Sequence, residues 1–337
     1  NKSTQRAFGQ ESVTPYLCGR IRRTPLIVMK DLVQRFPEQL EEALRIGEQA
    51  SISRPIRPIR NVIITGLGGS GIGGTIVSEI VANECPVPVT VNKDYFLPAF
   101  TGPETLVIVS SYSGNTEETL QAMDAALEKG AQISCITSGG SVAERAREHG
   151  LDLVLIPGGN PPRSCLGYSL TQLFFILHKK GLIGGAFVAQ LRASIDRMRM
   201  EEAAIKSEAQ EVTDFLFGKL PVIYAVDGYN GVATRFRQQI NENSKMLCWH
   251  HIIPEMNHNE LVGWAEQHEE CAVVILRNST DYYRSQARIE INKEIIAQRT
   301  PHIREIWSRG DSMLERSLYL VHLTDWVSCY LADRKAI

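Results

Sequence analysis

Short, continuously apolar runs alternate with longer stretches of helical spacing through the first half of the chain. The runs at 61–65, 87–91, 106–109, 132–137 and 153–156 lack polar alternation, so both faces of each strand are expected to be buried. Helical spacing fills the intervals at 71–82, 117–129 and 142–148. That rhythm predicts an α/β fold with a parallel sheet between helices. A helix over 37–50 precedes it, with Leu40, Ala43, Leu44 and Ile46 on or near one face, and Pro55 and Pro58 end that helix. A helical zone follows over 170–217, broken at 181–185. The alternation then returns, with strands at 221–226, 271–276 and 302–307 and helices at 232–245 and 312–331. Two layers of similar rhythm point to a duplicated fold.

The chain has 337 residues, a length that suits two domains better than one core. The pattern divides it into an extension over 1–28 outside the core fold, a first domain over 29–157, connecting loop and helices over 158–217, and a second domain over 218–337. Hydrophobic residues make up 43% and the net charge is −2, so neither nucleic acid nor a membrane surface is an expected partner. Seven cysteines without a Cys-x-x-Cys pair read as reduced thiols of a cytoplasmic protein.

Two loops carry candidate chemistry. Gly66-Leu67-Gly68-Gly69-Ser70-Gly71 follows the first strand, and Ser110-Ser111-Tyr112-Ser113-Gly114-Asn115-Thr116 follows the third. A strand that turns through Gly, Ser or Thr into a helix aims backbone N–H groups and the positive end of the helix dipole at an anion. The first loop offers mainly backbone donors. The second adds the hydroxyls of Ser111, Ser113 and Thr116. The first also fits a dinucleotide fingerprint, yet Asn92 and Lys93 stand where an acid would hold the ribose, which favours a sugar phosphate. A nicotinamide-dependent dehydrogenase ranks third among the readings. Asn115 and Glu118 have capping-box spacing for the helix that follows.

Three further residues stand out. Arg163 lies behind Pro161 and Pro162, in a loop stiff enough to present a fixed charge to an oxyanion, although most loop arginines are simply solvated. Glu242 lies off the apolar stripe of Val232, Phe236 and Ile240, so it is an exposed carboxylate unless a cleft or partner lies above it. His258 has Asn257 and Asn259 on either side and Glu260 nearby, groups that could fix its tautomer for acid–base work. A zinc set of His250, His251, Glu255 and His258 matches no metal-ligand spacing, and no metal is expected.

Together, Gly68-Gly69-Ser70-Gly71, the Ser111–Thr116 loop, Pro162-Arg163, Asn241-Glu242-Asn243 and Asn257-His258-Asn259-Glu260 resemble the bifunctional phosphoglucose/phosphomannose isomerase family, built on sugar isomerase (SIS) domains. The resemblance runs from about Met29 onward. It implies two SIS domains, a homodimer, and interconversion of fructose 6-phosphate with glucose 6-phosphate or mannose 6-phosphate. It implies that Gly69, Ser70, Ser111, Ser113 and Thr116 hold the phosphate. In the same terms Glu242 is the base, Arg163 stabilises the enediolate, and His258 reaches in from the other subunit to assist ring opening. No cofactor is implied. The family pattern continues with a C-terminal helix bearing a site lysine, which would begin where this sequence stops at Ile337. The expectation is that this helix is missing here, the alternative being that Lys335 substitutes for its lysine. The alternative is a non-catalytic SIS module that senses a sugar phosphate.

Overall fold

The computed structural model describes residues 29–337, so the expected extension over 1–28 lies outside the described residues. Helices α1 (Met29–Gln34) and α2 (Phe36–Gln49) precede a five-stranded parallel sheet. Its strands are β1 (Asn61–Thr65), β2 (Val89–Asn92), β3 (Thr105–Ser110), β4 (Gln132–Thr137) and β5 (Asp152–Leu155). Helices α3 (Gly68–Ile80), α4 (Glu117–Glu128) and α5 (Gly140–Glu148) connect them. Every residue of β3 and β4 is buried, including the polar Gln132, Ser134 and Thr137 of β4.

The 170–217 zone contains three helices, α6 (Leu166–Lys179), α7 (Ala186–Met200) and α8 (Glu202–Leu216). The break between α7 and α8 at Glu201 carries no glycine or proline and was not expected. Helix α6 packs on α2 and α3, whereas α8 packs on the last helix of the chain.

The second sheet has four parallel strands: β6 (Leu220–Val226), β7 (Trp249–Ile253), β8 (Cys271–Arg277) and β9 (Ile303–Trp307). Helices α9 (Asn230–Ser244), α10 (Tyr283–Ala297) and α11 (Met313–Arg334) accompany them. Strand β7 and helix α10 correct the sequence expectation, which left both segments without an element. Strand β7 is an edge strand that pairs only with β6, and its His250 and His251 hide the apolar run. Helix α10 buries only Ile289, Asn292 and Ile296, and an asparagine in that stripe masks the helical period.

The period of two along each strand sorts side chains into separate cores. Ile64, Leu106 and Ile108 face the same apolar layer as Ile223, Val274 and Leu276 of the second sheet. Helices α2, α3, α6, α7, α8, α9 and α11 also contribute to that layer, which is therefore continuous between the sheets. The opposite faces have their own covers. Val107 and Val109 pack with Met123 and Val142, and Tyr224 and Ile275 pack with Ile289 and Ile296.

The strand orders are β2-β1-β3-β4-β5 and β7-β6-β8-β9. In both, the winding reverses direction beside the first strand, between β1 and β3 and between β6 and β8. Such switch points leave a crevice beyond the carboxyl ends of the strands, where open α/β sheets bind ligands.

Candidate active site

At the first switch point the two predicted loops lie side by side. The chain leaves β1 through Gly66 and enters α3 with Gly68 in the left-handed region, at φ 53°. A Cβ on Gly69 would lie 2.8 Å from the Pro162 carbonyl oxygen, so only glycine allows these backbones to meet. Tyr112 N–H donates to Ser70 Oγ at 3.1 Å and joins the two loops. Ser111 is buried behind them. Its hydroxyl donates to Thr116 Oγ1 at 3.3 Å and accepts from the Gly114 N–H at 3.2 Å.

A cleft of about 280 Å³ opens above these loops. Gly69, Ser70, Ser113, Thr116, Arg163 and Glu242 all line it. Six of the eight predicted site residues therefore share one cavity. Tyr112 also lines it, and its hydroxyl accepts from the Asn160 N–H at 3.1 Å. Burial raises the Tyr112 phenol above its ordinary range, which keeps it neutral.

Arg163 sits on a single 3-10 turn, Pro162–Ser164. Its Nε donates to Asn243 Oδ1 at 2.7 Å, and its Nη1 lies 3.7 Å from Glu242 Oε2. The Arg163 carbonyl accepts from Arg235 Nη2 at 3.0 Å. Arg235 forms a two-pronged pair with Asp325 of α11, and both side chains are buried. Glu242 projects off the apolar stripe of α9, as its spacing predicts. Its side chain is 49% exposed because the cleft lies above that face.

Two predicted residues fall elsewhere. Ser111 shapes the loop from behind. His258 ends the 3-10 turn Glu255–His258, exposed and away from the lining of this cleft. Its neighbours do not fix its tautomer, which corrects that expectation. Asn257 donates to Asn292, Asn259 donates to Glu255 and accepts from the Glu260 N–H, and Glu260 holds Tyr224, Trp249 and His251. The capping expectation also changes. Thr116 is the N-cap of α4, without a side-chain cap bond, while Asn115 Oδ1 accepts from the Ser141 N–H at the start of α5. Lys335 donates to the carbonyls of Ser244 and Lys245 at the end of α9.

The alternative zinc residues do not converge. His250 bonds Thr234 and Asn230, and burial pushes its imidazole down to about 4. Among the described residues, His268, Glu270 and Cys271 do bring ligand atoms together, and none of them lines the cleft. No helix among the described residues is long and apolar enough to cross a membrane.

At the second switch point the same turn takes a different partner. The Gly231 N–H, in the first turn of α9, donates to both carboxylate oxygens of Glu79, at 3.1 and 3.0 Å. Burial pushes that carboxyl up to about 7, against the opposing pull of the N–H.

Residues 205–337 match the bacterial phospho-glucose isomerase C-terminal SIS domain. A bifunctional phosphoglucose/phosphomannose isomerase of Caldicellulosiruptor bescii is 40% identical over 90% of this chain and 93% of its own length. A D-glucosamine-6-phosphate 4-epimerase of Sulfolobus acidocaldarius is 30% identical over 80% of this chain and 83% of its own. In fold alone, the chain is similar to the tagatose-6-phosphate ketose/aldose isomerase of Escherichia coli. That structure has a TM-score of 0.69 and 15% identity, with 91% of this chain and 92% of the other covered. With tandem parallel sheets and this level of identity, the chain belongs to the bifunctional phosphoglucose/phosphomannose isomerase family of SIS-domain proteins.

Proposed function

We propose that the cleft isomerises fructose 6-phosphate to glucose 6-phosphate, mannose 6-phosphate or both. The observation that supports this reading is the meeting of Glu242 and Arg163 above the glycine and hydroxyl loops. The phosphate sits on the N–H of Gly69 and the hydroxyls of Ser70, Ser113 and Thr116, with Ser111 holding the loop. Binding energy gained there positions the sugar carbons.

Starting from open-chain fructose 6-phosphate, Glu242 removes a proton from C1 and the electron pair moves onto the C2 carbonyl oxygen. The cis-enediolate so formed carries its negative charge toward Arg163, whose fixed guanidinium stabilises it. Return of the proton to C2, with transfer of the O1 proton to O2, leaves an aldehyde at C1. The face that receives the C2 proton decides between the glucose and mannose epimers. His258 acts from a second copy of the chain during ring opening. The scheme uses no metal or organic cofactor.

The test is turnover of fructose 6-phosphate with both aldose phosphates measured separately, beside Glu242→Gln. The variant is expected to lose about 10²- to 10⁴-fold in kcat, the range for removing a general base. A thermal shift with the sugar phosphate but no turnover would sink the isomerase and favour the non-catalytic sensor.

A further inference from the structure

Asn243 follows the proposed base in the Asn241-Glu242-Asn243 segment, and nothing in the reaction scheme above uses it. Its amide bonds in two directions. Oδ1 accepts from Arg163 Nε at 2.7 Å, and Nδ2 donates to Ser328 Oγ at 3.0 Å. Ser328 Oγ in turn donates to the Asp325 carbonyl at 2.7 Å. The same Asp325 anchors Arg235, which holds the Arg163 backbone. Helix α11 therefore restrains both the main chain and the side chain of an arginine that lies far from it in sequence.

That restraint answers a chemical problem. An arginine beside a free carboxylate tends to form a two-pronged pair with N···O distances of roughly 2.7–2.9 Å. Such a pair would tie up the lone pairs of the base and turn the guanidinium away from the substrate. Here Nε is already bonded to a neutral amide, which removes the side-on fork that pairs Nε and an Nη with a carboxylate. Nη1 stands off at 3.7 Å from Glu242 Oε2, beyond hydrogen-bond length.

On the isomerase reading above, we infer that Asn243 is a positioning residue. It keeps Arg163 from closing on Glu242, so that one group remains a free base and the other a free oxyanion partner. Arginine is then required at 163 for its geometry as well as its charge, since a lysine has no Nε donor to give Asn243.

The test compares steady-state turnover of fructose 6-phosphate by the full chain, by Asn243→Leu and by Asn243→Asp. Leucine removes both bonds at similar volume, and aspartate keeps the acceptor for Arg163. For Asn243→Leu, kcat is expected to fall about 10- to 100-fold, the penalty for a misplaced group, while KM stays within about 3-fold because the phosphate loops are untouched. Asn243→Asp should recover part of that loss. In an Arg163→Lys background, Asn243→Leu should cost less than about 2-fold more, because the contact it removes is already gone.

Should the leucine variant fold poorly, Ser328→Ala loosens the same arm and is expected to lower kcat in the same direction by a smaller factor. The inference is overturned if Asn243→Leu keeps wild-type kcat. It is equally overturned if the loss is the same in both backgrounds, or if the loss appears only in KM. Absence of turnover by the unmodified protein would remove the isomerase reading itself, and this inference with it.

Discussion

The two sheets wind in the same order and make the same crevice, yet their helix starts meet different partners: one lines an open cleft and the other holds a carboxylate. At the first, the glycine loop lines a cavity together with the hydroxyl-bearing residues Ser70, Ser113 and Thr116. At the second, the first turn of α9 already holds the Glu79 carboxylate, and Asp227 raises the Glu79 carboxyl further through repulsion. A helix N-terminus attracts one anion, and a side chain from the other half has taken that place. Duplication supplied two crevices of equal topology. What separates them is whether a neighbouring acid reaches the helix end, which no feature of the sheet decides.

The largest expected break in this contrast comes from the base. Glu242→Gln leaves the open crevice intact and should abolish nearly all turnover while fructose 6-phosphate still raises the melting temperature.

A carboxylate can also be brought to the open side. Ser113→Glu places an acid among the phosphate donors, as Glu79 does in the second half. KM for fructose 6-phosphate should rise about 10- to 100-fold, the range expected when charge-assisted hydrogen bonds worth about 1.5–3 kcal/mol are lost. An unchanged KM would mean that the phosphate sits elsewhere.

A smaller effect sharpens the contrast from the other side. The Glu79 carboxyl lies at about 7 when folded, against an ordinary value of 4.5. The folded protein thus binds this proton more tightly than the unfolded chain. Its contribution to stability is full below about pH 4.5 and is lost as pH rises through 7. Glu79→Gln removes that dependence. Relative to the parent, the variant should gain stability between pH 5 and pH 8, by at most about 3 kcal/mol. Denaturant melts at the two pH values check the sign, and a parallel pair of curves would show that Glu79 does not titrate in this interval.

Most of the strands were legible because parallel strands buried on both faces are unbroken apolar runs. Strand β7 was not, because an edge strand needs only partial burial and can carry His250 and His251. The hydroxyl loops were readable as local signals, each lying at the end of one strand. Glu242 was different: its helical spacing argued for solvent, and only resemblance to a family singled it out. The Asn243–Arg163 bond spans 80 residues and the Gly231–Glu79 bond 152, so neither leaves a periodicity to find. His258 shows the converse failure, since its sequence neighbours bond other groups in the folded chain.

Helix α3 begins at the open cleft and, near its other end, sends Glu79 to the start of α9 at the second crevice. The halves are therefore not interchangeable parts. A chimera that replaces the second half with another SIS domain must supply a helix start able to receive an acid from position 79. Otherwise it must carry a neutral residue there, or the graft will bury an unanswered charge at the seam.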